Sequence, residues 1–227
     1  MEKKSFFIKY ITNTNQLRFN NNIILAAFNL AFISFLFKNN IKLNKNLVVW
    51  PDGIFARRFF NCKKIPGNEL INKLILNKKI KKIIVLGNSN NKDIKLLQKL
   101  YRIKIEYYSL GIDIAKNLFN ELPKIYKNCL YLITLPTPKQ EQISNLIAKN
   151  YKFYKIICIG GGLSIASGNE KKCPYILYKL GLEFFWRLKG DTMRRVKRLI
   201  LTFFIYLSLE LTLFPKKIKF IKIKNFI

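Results

Sequence analysis

Short apolar runs, each ending in a polar or glycine-rich loop and mostly separated by stretches of helical spacing, constrain this chain more than any other feature. The runs predict strands at about Ile23–Phe28, Leu47–Trp50, Lys82–Leu86, Ile103–Tyr107, Leu130–Thr134 and Lys155–Ile159. Between them Ile94, Leu97, Leu100 and Tyr101 recur at helical spacing, as do Ile143, Leu146 and Ile147. Alternation of this kind builds βαβ units, which places the chain in the α/β class with a mainly parallel sheet flanked by helices. Ligands of such sheets bind beyond the carboxyl ends of the strands, so the residues just after each run are the first candidates for a site.

Those residues are Pro51-Asp52-Gly53, Gly87-Asn88-Ser89-Asn90, Pro136-Thr137-Pro138-Lys139-Gln140-Glu141 and Gly160-Gly161-Gly162. A carboxylate at a strand end, such as Asp52, can act as a general base when its surroundings tune its pKa, and Gly53 lets a ligand approach the backbone. The same Asp52 could instead cap a helix that begins near Ile54. The triple glycine offers backbone N–H groups to a phosphate. It is neither G-x-G-x-x-G nor a P-loop, and neither it nor Gly87–Asn90 specifies a ligand by itself.

Composition narrows the chemistry. The 227 residues suit one α/β domain, or a domain with an appendage, and a hydrophobic share of 50% is enough for a sizeable core. There is no histidine, which excludes Ser-His-Asp and Cys-His catalysis, most catalytic zinc sites and the commonest general base. Any acid–base carboxylate must come from only 12 acidic residues. The net charge of +30 attracts nucleic acid, anionic lipid or phosphate-bearing small molecules. Part of that excess reflects a general richness in Asn, Ile and Lys, so charge alone does not choose a partner. Cys62, Cys129, Cys158 and Cys173 form no CxxC pair, which favours free thiols in a reducing cytosol over disulfides or a metal site. Met1 to Lys9 lacks the apolar core and cleavage site of a signal peptide.

From Pro174 onwards the pattern reads as helix without strand. Tyr175–Leu188 is rich in aromatics, and a basic segment then leads into the apolar run Leu199–Phe214. That run has 16 residues, contains Glu210 and ends at Pro215. A membrane span needs roughly 20 apolar residues, so an interfacial helix is expected rather than a span. Flanking residues such as Lys216, Lys217, Lys219, Lys222 and Lys224 suit an anionic membrane surface. A core-packed helix with a solvated basic tail is the alternative. Arg187, Arg194, Arg195, Lys197 and Arg198 recur at roughly helical intervals, and arginine makes planar, bidentate contacts with phosphate oxygens.

Taken in order, these loops resemble the WecG/TagA/CpsF family of bacterial glycosyltransferases from about Asn29 to Arg198. The resemblance rests on Pro51-Asp52-Gly53, on Ile65-Pro66-Gly67-Asn68-Glu69-Leu70 and on Pro138-Lys139-Gln140-Glu141. It continues through Gly160-Gly161, Gly168, Pro174 and Gly181–Leu188, and then Arg194 and Arg198. It implies a Rossmann-like domain over residues 1–188 and a basic, membrane-associating helical appendage over 189–227. It also implies an inverting transfer of an N-acetylmannosamine-type sugar, or its uronate, from a UDP donor to undecaprenyl-diphosphate-linked N-acetylglucosamine. Teichoic-acid linkage units, enterobacterial common antigen and capsules are built this way, at the cytoplasmic face of the inner membrane.

Within that resemblance Asp52 takes the proton of the acceptor hydroxyl, Asn29 lies in the same cleft and Gln140 meets the sugars, with Gly53 and Glu141 beside them as further substrate-binding candidates. Arg187 and Arg194 close over the site and bind the donor pyrophosphate, and Gly160, Gly161, Lys197 and Arg198 are further substrate-binding candidates. No cofactor is expected, and without a DxD pair to hold a metal the arginines are the natural source of positive charge for departing UDP. Ala27, Phe55 and Ser164 depart from common family residues and reshape the pocket, which bears on the donor more than on the reaction. Two other readings compete: a relative that binds a nucleotide-sugar or lipid without turnover, and a basic nucleic-acid-binding protein. The second rests on charge alone and has no helix-turn-helix or zinc pattern behind it, so no nucleic-acid partner is expected.

Overall fold

The computed structural model describes residues 6–38, 44–53, 59–110, 122–179 and 218–223, with the single positions 186, 196, 200, 204 and 207. Eight strands form one sheet: β1 Phe6–Tyr10, β2 Ile23–Phe28, β3 Leu47–Pro51, β4 Lys82–Leu86, β5 Lys104–Tyr108, β6 Cys129–Ile133, β7 Lys155–Cys158 and β8 Ile218–Lys222. Their spatial order is β5-β4-β6-β7-β2-β3-β1-β8, and every neighbouring pair is parallel. This is the α/β, Rossmann-like arrangement that the alternating runs predict.

The inner strands are apolar on both faces because both faces are covered. Strands β2, β6 and β7 are buried along their whole length. On one face, α1 (Leu30–Lys38) and α4 (Lys139–Asn150) bring Phe32, Ile33, Ile143 and Ile147 onto Ala26, Phe28, Tyr131 and Ile156. On the other, α2 (Gly67–Lys73), α3 (Asn91–Tyr101) and α5 (Gly162–Ala166) bring Leu70, Ile71, Leu97 and Leu163 onto Leu25, Val85, Leu132 and Ile157. Burying a side chain of this size contributes about 1.5–3 kcal/mol, so these two layers dominate the stability of the fold.

The edges differ in composition. On β5 the residues Lys104, Tyr107 and Tyr108 are exposed, and Glu106 bridges Lys104 and Lys82 at 2.9 Å each. Charged and polar side chains of this kind blunt an open edge. At the other edge the structure corrects the expectation of helix without strand beyond Pro174: Ile218–Lys222 is a strand, paired in register with β1. Phe220 packs edge-on against Phe28 and Phe60 at centroid distances of 5.5 and 5.0 Å. Lys219, Ile221 and Lys222 are exposed and Phe220 is half-buried, so a strand with one inward-packed aromatic, rather than a uniformly basic tail, is what the sequence encodes there.

A short helix, α6, spans Tyr175–Lys179, and Trp186, Val196, Ile200, Phe204 and Leu207 are helical. No helix among the described residues is long and apolar enough to cross a membrane.

Candidate active site

Because all strands run the same way, the loops after β2, β3, β6 and β7 open on one edge, and these strands are neighbours in the order β6-β7-β2-β3. With strands about 4.8 Å apart, that row of loop origins is roughly 14 Å wide. It carries, in spatial order, the Gln140 loop, the Gly160 turn, Asn29 and Asp52. The strands therefore bring the predicted Asp52, Gly53, Asn29, Gln140, Glu141, Gly160 and Gly161 to one edge of one sheet. Arg187, Arg194, Lys197 and Arg198 lie outside the described residues, as does the segment near Ile54 that Asp52 might have capped.

Asp52 leaves β3 directly and is partly exposed. Asn29 donates to it from Nδ2, reaching Asp52 Oδ2 at 3.4 Å. The amide cannot turn round without loss, since Asn29 Oδ1 accepts the Phe32 backbone N–H at 3.1 Å and so caps the first turn of α1. One end of Asn29 holds the helix, and the other therefore presents a donor to the carboxylate. Gly53 has φ +81°, a conformation suited to glycine, and a Cβ there would lie 3.9 Å from Asn29 Cβ.

The three glycines after β7 do different things. Gly160 turns the chain at φ +53°. At Gly162 a Cβ would stand 3.0 Å from the Gly67 carbonyl carbon, so α5 and α2 meet backbone to backbone. Gly67 is part of the Ile65–Leu70 motif, and this close approach is its physical role. Gly161 has neither reason: its φ is −72°, and a Cβ there would meet nothing within 4 Å. The space over its Cα is open, while its carbonyl accepts the Ile165 N–H at 3.2 Å.

Gln140 and Glu141 open α4 and are almost fully buried, at 4% and 3% exposure. Gln140 Nε2 donates to Glu141 Oε1 at 2.9 Å and to Thr137 Oγ1 at 3.1 Å, while Thr137 Oγ1 donates to Glu141 Oε1 at 3.1 Å. Beneath them, the Cys158 thiol donates to the Gln140 carbonyl. Burial, then the nearby Glu141 charge, raises the Cys158 thiol well above its usual range and leaves it inert. Cys129 is likewise buried, and all four cysteines are free thiols.

The loop Gly87–Asn90 is taken up by structure. A Cβ on Gly87 would fall 2.8 Å from Leu135 Cγ, and Asn90 caps α3 in a reciprocal pair with Asp93. Asp93 also accepts from Ser164, Ser167 and Asn169, a cluster that sequence reasoning missed. The signal was present: an Asn followed three residues later by Asp ahead of a helical run is a capping-box pattern. A cleft of about 580 Å³ among residues 72–81 and 100–103 opens towards the amino ends of β4 and β5, at the far edge from Asp52. Among the described residues, no three His, Cys, Asp or Glu side chains converge to hold a metal ion.

Comparison with known proteins agrees with this arrangement. The family described as "Glycosyl transferase WecG/TagA/CpsF family" matches residues 43–218. Similar curated proteins are the N-acetylglucosaminyldiphosphoundecaprenol N-acetyl-beta-D-mannosaminyltransferases of Staphylococcus aureus. Those of strains MW2 and NCTC 8325 / PS 47 are 26% identical over 142 residues, and that of strain MRSA252 is 25% identical over the same length. In each case the match covers 60% of this chain and 56% of the relative, so the chain spans about half the length of the curated relatives it matches. With its parallel sheet, its polar carboxyl edge and a match over most of its length, the chain belongs to the WecG/TagA/CpsF family of glycosyl transferases.

Proposed function

We propose that the protein is an inverting, metal-independent glycosyltransferase. It moves an N-acetylmannosamine-type sugar, or its uronate, from a UDP donor to an undecaprenyl-diphosphate-linked N-acetylglucosamine. The observation that carries this reading is the Asn29–Asp52 pair, set on adjacent strands and on the edge that also carries Gln140 and Gly160. In the reaction, Asp52 takes the proton of the acceptor hydroxyl as that oxygen bonds to the anomeric carbon. The bond from that carbon to the diphosphate oxygen breaks, and its electron pair leaves with UDP. One displacement of this kind inverts the anomeric centre. Arg187, Arg194, Lys197 and Arg198 neutralise the charge that gathers on UDP, a role that falls to cations of the chain in a sequence without a DxD pair.

The lipid-linked acceptor calls for a surface that meets a membrane. Ile200, Phe204 and Leu207 are helical, sit at i, i+4 and i+7, and are 49%, 64% and 37% exposed. Such an apolar stripe after the basic run 194–198 suits an interfacial helix on anionic lipid at the cytoplasmic face of the inner membrane. The appendage over 189–227 is then a membrane-facing arm whose final strand is anchored in the sheet.

The test is UDP release from a panel of UDP-sugars, with a short-chain lipid-diphosphate N-acetylglucosamine as acceptor and EDTA present. Release that requires both substrates supports the reading and names the donor. Folded, detergent-solubilised protein that releases nothing across the panel would overturn it.

A further inference from the structure

The Gln140 amide has one chemically sensible orientation. Glu141, as a carboxylate, can only accept hydrogen bonds, and both Thr137 Oγ1 and Gln140 Nε2 donate to its Oε1. Thr137 has a single hydroxyl proton, and with that proton on Glu141 its oxygen can only accept from Gln140. Reversing the amide would aim a carbonyl at two acceptors. The nitrogen is therefore turned inward and Oε1 outward, towards the Gly160 turn, where a Cβ would lie 3.7 Å from it. Among the described residues Oε1 is buried and makes no hydrogen bond. A buried amide oxygen in that state is unfavourable until a donor reaches it.

We infer that Glu141 and Thr137 lock Gln140 with its oxygen facing the site, so that the protein selects a sugar carrying a hydrogen-bond donor at that place. The donor is a hydroxyl or the N–H of an acetamido group, and a group that can only accept is rejected. Glu141 is thus a positioning residue that acts through Gln140, in keeping with its 3% exposure. Glycine at 160 keeps side-chain bulk away from the approach. This inference rests on the transferase reading above and deepens it, by assigning the polarity of one sugar contact.

Transfer kinetics of the full-length protein provide the test, in two arms. One arm uses donor sugars with each hydroxyl replaced by fluorine in turn, or with the acetamido N–H replaced by an ester oxygen. The other arm makes the same changes in the acceptor N-acetylglucosamine, which tells whether donor or acceptor supplies the group. One replacement should lower wild-type kcat/KM by about tenfold to a hundredfold, the scale of a buried hydrogen bond lost. Glu141→Met should abolish that discrimination to within about threefold, whereas Glu141→Gln, which retains an accepting oxygen, should keep most of it. Thr137→Val provides a second lesion should Glu141→Met fail to fold, and it should relax the same discrimination. A folded Glu141→Met or Thr137→Val protein that discriminates like wild type would overturn the inference and leave the transferase reading standing. So would a wild-type enzyme indifferent to every replacement. A wild-type protein without transfer activity fails the transferase reading instead, and the polarity is then read by calorimetric binding of the same UDP-sugar set, with the same expected pattern.

Discussion

Asp52 and Asp93 both follow a strand at the carboxyl edge of the sheet, yet their surroundings assign them opposite work. Asp93 is 1% exposed, and its oxygens accept from the Asn90 backbone at 3.1 Å, Asn169 Nδ2 at 2.7 Å, Ser164 Oγ at 3.5 Å and the Ser167 hydroxyl. Those bonds tie the start of α3 to the turn after α5, so the carboxylate is an anchor. Asp52 is partly exposed and is met by Asn29 at a long 3.4 Å. A base has to be reached by the proton it removes, and only Asp52 lies where a substrate hydroxyl can arrive. Position at a strand end is therefore not enough to nominate a catalytic carboxylate; whether the group is buried or can be reached decides.

The contrast can be broken in several ways. Asp93→Ala should cost about 3 kcal/mol, because several buried partners lose their acceptor together, and should lower the melting temperature by roughly 6–12 °C. Turnover per folded molecule should stay within about threefold. A stable variant, or one that folds normally but is inactive, would erase the distinction. Phe220→Ala should cost about 2 kcal/mol, read from denaturant unfolding, less than a fully buried phenylalanine because Phe220 is half-buried. Loss of activity beyond loss of fold would mean that the β8 edge reaches the site through Phe28, which contacts Phe220 and precedes Asn29. Asn29→Ser should keep the cap on α1 and remove the amide nitrogen facing Asp52. We expect about tenfold lower turnover with stability changed by less than about 0.5 kcal/mol. Equal losses in both would make Asn29 a cap and nothing more.

The smallest effect belongs to the far edge. The Lys104 and Lys82 ammonium groups beside Glu106 hold its carboxyl down at about 2. A carboxyl depressed in the folded state adds stability above its unfolded value of about 4.3, and that stability is lost as pH falls towards 2. Because the group is near solvent, the gain is at most about 1 kcal/mol. Glu106→Gln should flatten the loss of stability between about pH 4 and 2 without changing turnover, measured by denaturant unfolding across that range.

How much was legible in the sequence follows from how each element is buried. Strands β2 and β4 have the predicted bounds, β3 and β7 differ by a residue at one end and β6 is shifted by one residue, because runs covered on both faces stand out as unbroken apolar stretches. The edge strand β5 is shifted by one residue, to Lys104–Tyr108, where lysine and glutamate interrupt the run. Strands β1 and β8 went unread: five residues each, with Lys9 interrupting the apolar run of one and Lys219 and Lys222 that of the other. The lysines of β8 look like a membrane tail when read without their partner β1. At the site, the loops were legible from strand-end position, and the resemblance picked out Asp52, Asn29 and Gln140. The roles of Asn29 as a cap, of Gly162 as a close contact and of Thr137–Glu141 as an amide lock were not legible, since each depends on a partner brought in by the fold.

The most direct measurement is transfer by Asp52→Asn under saturating donor and acceptor, with donor binding measured on the same folded sample. The account predicts a fall in turnover of about 10²–10⁴-fold with donor affinity unchanged within about threefold, as expected for removal of a general base. Turnover within a few-fold of wild type, from protein that binds the donor normally, would contradict it and remove Asp52 from the chemistry.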